Sequence, residues 1–230
     1  MISIQQIEFY IPKKKLIIKD RYKSVDKIFL KNKIGAFSLP RCSKSETVVE
    51  MCLKVAKKIN LKKYKKKIKS IILCTQNPDF NGLPHNSSII HNKLKLNSDT
   101  ACFDISQGCA GYLYGMVSAS SFLKNGEYAL LFTCDPYSKI IKNRDFSTDI
   151  LFGDAAAITL LKKGGRSKKL IDFQFFSFGK EYDAIINQNG LNMNGKKVMK
   201  FCTSVVPEKI NEFLFRNNLD VKSIDQFYFH

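Results

Sequence analysis

Apolar positions along the chain follow two rhythms, one of period two or unbroken apolar runs, the other of period three to four. Strand-like runs cover residues 2–10, 70–75, 101–105, 128–134 and 156–161, and helical spacing covers 47–59, 87–95 and 110–124. In the 47–59 segment Val48, Cys52, Val55 and Ile59 share one face, and Thr47-Val48-Val49-Glu50 has the form of a capping box. In 110–124 the apolar face runs through Leu113, Met116, Val117, Ser120 and Leu123. Strands alternating with helices predict an α/β fold whose sheet is mostly parallel and covered on both faces. The best break is Gly164-Gly165-Arg166-Ser167, which divides the chain into a first portion, 1–165, and a second, 166–230. In the second, 170–176 and 198–201 read as strands, and Pro207 opens a helix with Ile210, Phe213 and Leu214 on its buried side. A last strand, 226–229, delivers His230 at its carboxyl end, where α/β proteins place their ligands.

Composition excludes several classes. With 44% hydrophobic residues and aromatics spread throughout its 230 residues, the chain can bury a sizeable core and is not disordered. No run approaches the roughly 18 apolar residues of a membrane span. Met1-Ile2-Ser3-Ile4 enters a strand pattern and not a charged and then apolar leader, which predicts a cytoplasmic protein. The seven cysteines include no Cys-x-x-Cys pair and read as reduced thiols, not as a disulfide frame or a zinc site. His85 and His91 read as surface or helix-end residues, and no metal is expected. The net charge of +18 would attract phosphates. It is carried almost wholly by Lys, however, with Arg21, Arg41, Arg144, Arg166 and Arg216 the guanidinium groups, and the densest run, Lys62-Lys63-Tyr64-Lys65-Lys66-Lys67, reads as a loop after a helix. Bidentate reading of phosphates and bases calls for Arg. The charge therefore fits a solvated face or the docking of an acidic protein better than it fits nucleic acid.

The segment with candidate chemistry is Phe103-Asp104-Ile105-Ser106-Gln107-Gly108-Cys109-Ala110-Gly111-Tyr112, which puts a cysteine between a strand and a helix. A helix start offers unpaired N–H groups and a positive dipole end, which favour a thiolate and can bind an oxyanion. Cys109 is expected to start that helix, with Gly108 and Gly111 leaving room for a substrate.

Further motifs stand in order around it: Phe152-Gly153-Asp154-Ala155-Ala156-Ala157, Leu191-Asn192-Met193-Asn194-Gly195, and Ile224 to His230. Tyr10-Ile11-Pro12, Glu46-Thr47, Asn77-Pro78-Asp79, and Asp135 with Ser138-Lys139 fill the gaps. The ordered set resembles the β-ketoacyl-acyl-carrier-protein synthase III family of the thiolase superfamily. The resemblance implies a thiolase-like fold layered αβαβα, with the nucleophilic cysteine in the first half and a second half truncated at His230. The closing helix, a strand carrying a catalytic Asn and a Gly-rich hairpin would follow that point. It implies Cys109 and His230 as catalytic residues that meet in the fold, while Asp154 is expected to fix its own turn through side-chain to backbone hydrogen bonds. The implied reaction is acyl transfer to Cys109 from acyl-CoA or acyl carrier protein, then decarboxylative condensation with malonyl carrier protein, in fatty-acid or specialised acyl-chain synthesis. No cofactor is implied; acyl carrier protein is the implied partner and a homodimer the implied assembly. Family members that use coenzyme A commonly carry Arg after the glycine matched by Gly35. Here Ala36, Phe37 and Ser38 follow, and the chain has no Trp, which leaves Arg41 or a lysine as phosphate contact, or a primer that arrives on a carrier protein. Another thiolase-superfamily acyltransferase, or an inactive truncated paralogue serving as a dimer partner, are the alternative readings.

Overall fold

The structure, a computed structural model, describes residues 1–142, 145–165 and 168–229. It divides into two compact units, one formed by Met1–Lys139 with Ile150–Ile171, the other by Ile140–Asp149 with Asp172–His230. The boundary expected after residue 165 is set at Ile171 here, and 140–149 joins the second unit; the expected linker residues Arg166 and Ser167 lie outside the described residues.

The first unit runs β1 (Ile2–Tyr10), β2 (Lys15–Ile17), the short helices α1 (Ile18–Arg21) and α2 (Lys27–Phe29), β3 (Ser38–Pro40), α3 (Val48–Ala56), α4 (Leu61–Tyr64), β4 (Ile68–Cys74), α5 (Asn86–Leu94), β5 (Ala101–Ile105), α6 (Gly111–Ser121), β6 (Tyr128–Cys134) and β7 (Ala156–Lys163). Its five-stranded sheet has the order β1-β7-β6-β4-β5. The pairs β4–β5 and β4–β6 are parallel, but β1–β7 and β6–β7 are antiparallel. The sheet is therefore mixed where a mostly parallel one was expected, because β7 returns beside β6 without a crossover helix of βαβ type.

Period-two alternation sorts each central strand onto two cores. Ile71 and Leu73 of β4, Leu130 and Phe132 of β6, and Ile158 and Leu160 of β7 face α3 and α5. Ile72 and Cys74, Ala129 and Leu131, and Leu161 pack with Met116, Ala119 and Leu123 of the α6 segment. Both faces are thus covered, which is why these strands read as unbroken apolar runs. Helix α3 begins as its sequence requires: the Thr47 hydroxyl accepts from Glu50 N at 3.1 Å and the Glu50 carboxylate accepts from Thr47 N at 3.0 Å. Asp79 adds a second cap, accepting from Val48 N and Val49 N, each at 3.0 Å. The Lys62–Lys67 run expected as a loop is instead α4 followed by a 3-10 turn, with Lys63 over the Tyr64 ring.

The second unit contains α7 (Phe146–Asp149), the hairpin of β8 (Ile185–Asn187) with β9 (Leu191–Met193), α8 (Gly195–Lys200) and α9 (Val206–Arg216). Three expected strands fail in residues 166–230. Residues 198–201 lie in or beside α8, because the Asn194 side chain accepts from Lys197 N and caps a helix at the Asn-Gly pair. Residues 226–229 form no strand: Phe227, Tyr228 and Phe229 are exposed, and no described strand pairs with them. Residues 170–176 likewise stay irregular apart from Leu170 N donating to Ile2 O at 2.9 Å. The helix expected from Pro207 is present, with Leu214 its buried residue and Ile210 and Phe213 half-buried.

Candidate active site

Cys109 lies in the turn between β5 and α6, two residues before the helix begins at Gly111. It precedes the helix and does not start it. Gly111 N donates to Gly108 O at 2.8 Å, closing a turn with Cys109 at a central position, and the helix ladder starts with Tyr114 N donating to Ala110 O at 3.2 Å. Asp104 secures β5 to its neighbour by accepting from Asn86 N and Ser87 N at 2.7 and 2.9 Å, where α5 begins.

The two glycines expected to leave room for a substrate are occupied by packing. A Cβ on Gly111 would stand 3.2 Å from Cys74 Cβ, and one on Gly108 would stand 2.9 Å from Gln76 Oε1. Gly115, one turn further on, lies against Leu131 and Cys74. Small residues here let α6 sit close on β4 and β6, and they hold Gln76 against the Cys109 turn.

The thiols separate by environment. Cys42, Cys52, Cys74 and Cys134 are buried, and Cys109 and Cys202 are the exposed thiols. Burial pushes the Cys74 thiol up to about 12, reinforced by Asp135 and Asp104, and its Sγ donates to Gly111 O at 3.0 Å. Burial likewise raises Cys42 to about 11, with Asp154 adding to it. A thiol that stays protonated is a poor nucleophile. Cys109 combines exposure with a place at a strand-to-helix junction; Cys202 lies in the second unit on a π-type turn, Phe201–Val205.

The groups around Cys109 come from three loops at one end of the sheet. Asp135, just after β6, accepts from Gln76 N at 2.7 Å, from Thr75 Oγ1 at 3.1 Å and from Asn77 Nδ2 at 3.1 Å. Burial raises its carboxyl despite these donors. Tyr137 N donates to Asp135 O at 2.9 Å, and the Tyr137 hydroxyl donates to Gln76 Oε1 at 2.5 Å. Burial, followed by the negative charges of Asp135 and Cys109, pushes the Tyr137 phenol up to about 12, so it remains a donor. The ring stacks on Phe152, centroids 4.9 Å apart.

Asp154 is fully buried and acts at longer range than its own turn. It accepts from Cys42 N at 2.8 Å, from Ser138 N at 3.0 Å and from the Ser138 hydroxyl, and its own N–H donates to Pro40 O at 3.0 Å. It therefore ties β3, the 138 loop and the 152–155 turn together. Arg41, expected as a possible phosphate contact, is turned inward and donates to Phe152 O. His85 contacts Ser87 and Asp104 at the start of α5, and the His91 ring meets Asn97 O. Among the described residues no cluster of His, Cys, Asp and Glu could hold a metal ion. His230 lies outside the described residues, and so does its expected meeting with Cys109.

Gln76 and Tyr137 were not singled out by sequence reading. They stand 61 residues apart and belong to no periodic pattern, although the flanking motifs Asn77-Pro78-Asp79 and Asp135 with Ser138 bracket them.

The chain has counterparts among known proteins. Residues 103–179 match the family model for 3-oxoacyl-[acyl-carrier-protein] synthase III, a span that includes Cys109, Tyr137 and Asp154. A β-ketoacyl-[acyl-carrier-protein] synthase III of Rickettsia bellii is 31% identical over 171 residues, covering 70% of this chain and 53% of that protein. The chain thus spans about half the length of the curated relatives it matches. Among solved structures, a 3-oxoacyl-(acyl-carrier-protein) synthase III matches with TM-score 0.88 at 23% identity, covering 97% of this chain and 76% of that one. An HMG-CoA synthase complexed with CoA matches with TM-score 0.74 at 16% identity, over 96% and 57%. The structural likenesses show a thiolase-like fold. Taken with the sequence matches, they make the chain a member of the β-ketoacyl-[acyl-carrier-protein] synthase III family.

Proposed function

We propose that the protein is a 3-oxoacyl-[acyl-carrier-protein] synthase whose nucleophile is Cys109. The observation that carries this reading is the exposed Cys109 thiol at the β5–α6 junction, inside the span matched by the family, whereas the nearby Cys74 thiol is buried and held protonated. The Cys109 sulfur attacks the carbonyl of an acyl thioester; a new C–S bond forms, the old one breaks, and the carrier thiol leaves. The amino end of α6 faces the turn and favours negative charge there. Malonyl carrier protein then loses carbon dioxide, and the electron pair of the broken C–C bond becomes an enolate. Its carbon attacks the acyl carbonyl, forming the new C–C bond and releasing the Cys109 thiolate. His230 would donate a hydrogen bond to the malonyl thioester carbonyl as enolate charge develops. Splitting the reaction at an acyl-enzyme replaces one hard step with two easier ones. Thioester substrates supply all of this chemistry without a metal or nicotinamide.

Acyl carrier protein is the proposed partner, and the lysine-rich surface suits an acidic one. Arg41 is buried and donates to Phe152 O, which leaves a lysine to contact coenzyme A phosphates or a primer that arrives on a carrier protein. The test is incubation with an acyl thioester and malonyl carrier protein. Acyl-dependent release of carbon dioxide together with a 3-oxoacyl product, both lost in Cys109→Ala, is expected of a chain that also carries the Asn strand and Gly-rich hairpin. Residues 1–230 by themselves are expected to show acylation of Cys109 without condensation. Product formation by Cys109→Ala would contradict the proposal.

A further inference from the structure

We propose that Tyr137 and Gln76 are positioning residues for Cys109: their hydrogen-bonded side chains prop the Gly108–Cys109 turn and fix where the thiol stands. The inference deepens the reading of Cys109 as the acyl-accepting thiol and rests on it for its meaning. Gln76 Oε1 stands 2.9 Å from where a Gly108 Cβ would be, so the amide lies directly against the turn with no space between. The same oxygen takes the Tyr137 hydroxyl at 2.5 Å. Both residues hang from one anchor, since Asp135 accepts from Gln76 N and its carbonyl accepts from Tyr137 N. The Tyr137 ring is held in turn by its stack on Phe152, whose carbonyl Arg41 binds from behind.

An exposed glutamine ordinarily keeps its rotamer freedom, and ordering it costs up to about 2 kcal/mol. Here a stacked, protonated phenol holds it in one place, and the surface it meets is the cysteine turn. Small displacements of a reacting atom cost rate steeply. The pair therefore acts on Cys109 through the turn, without touching the reacting atoms.

The test is alkylation of Cys109 by iodoacetamide, followed by peptide mass spectrometry from neutral to alkaline pH, with the exposed Cys202 of the other unit as internal reference. Tyr137→Phe keeps the ring and its stack but loses the hydroxyl, and it is expected to slow Cys109 relative to Cys202 by about fivefold or more. Gln76→Ala, at an exposed position that does not threaten folding, is expected to give the same loss, and the double variant no further loss, because the two side chains act as one unit. Gln76→Glu still accepts from the phenol and restores the prop; its charge moves the Cys109 pH profile upward while leaving the alkaline plateau at the wild-type rate. Cys109 rates unchanged or faster in Tyr137→Phe and Gln76→Ala, or losses that add, would overturn the proposal. If acyl thioesters leave Cys109 unlabelled while alkylation responds as described, the proposed function fails and the positioning role stands.

Discussion

Asp154 shows what a single residue does in this architecture. Its carboxylate is fully buried and satisfies two backbone N–H groups and a hydroxyl from separate segments. Asp154→Ala leaves those donors unpaired in the interior and is expected to lower unfolding free energy by about 2 to 4 kcal/mol, read as a lower denaturant midpoint at unchanged slope. A midpoint within about 0.5 kcal/mol of wild type would refute the bracing role. From sequence, the Phe-Gly-Asp turn announced that the aspartate mattered and that it would bind backbone. Which backbone it binds was hidden, because Cys42 is 112 residues away and nothing local marks a long-range partner. Cys109 was legible for the opposite reason: a strand, a small-residue turn and a helix follow one another within ten residues of sequence. Gln76 and Tyr137 resembled the bracing partners of Asp154, in that only the folded loops bring them to the site.

At the scale of elements, the join between β1 and α3 depends on charge. The Tyr10 hydroxyl donates to Glu46 Oε1 at 2.7 Å, Lys54 Nζ pairs with the same oxygen at 2.5 Å, and the Lys139 ammonium donates to Glu46 O. Burial pushes the Glu46 carboxyl up, but the Lys54 ammonium and the Tyr10 hydroxyl outweigh it and hold the carboxyl below its usual value. A depressed carboxyl stabilises the fold above its unfolded value of about 4.3 and loses that contribution as pH falls through the folded value. Because Lys54 is about half exposed, the contribution is discounted to about 1 kcal/mol. Glu46→Gln is expected to lower stability by that amount at neutral pH and to flatten the acid limb of a denaturation series taken below about pH 4.3. An acid limb as steep as wild type would contradict it. Elements of the first unit were readable, β1, β5 and β6 to the residue, because each buries a face whose period shows in sequence. In the second unit the helix from Pro207 was readable and the strands were not. Its 198–201 run is apolar enough for a strand, yet the Asn194 cap starts a helix, and 226–229 alternates without a described strand to pair with.

At the scale of the molecule, the first unit was recognisable as α/β, but its strand directions were not, since periodicity carries no information on whether a returning strand runs parallel or antiparallel. The order β1-β7-β6-β4-β5 leaves β5 as an edge, with every residue half-buried and its outer backbone groups open to pairing. A homodimer formed across Ala101–Ile105 and its flanking loops is the proposed assembly. Light scattering at micromolar concentration is expected to give twice the 26.3 kDa chain mass, and a proline at Cys102, which strains the edge, is expected to shift the population to monomer. A monomeric wild type would remove the proposal. No helix among the described residues is long and apolar enough to cross a membrane. The account turns on one thiol, and intact-protein and peptide mass spectrometry after incubation with an acyl thioester tests it most directly. A single acyl mass on the peptide containing Cys109, absent from Cys109→Ala and present with Cys202→Ala, is the expected result. An acyl label that persists in Cys109→Ala, or that resides on Cys202, would contradict the assignment of Cys109 as nucleophile.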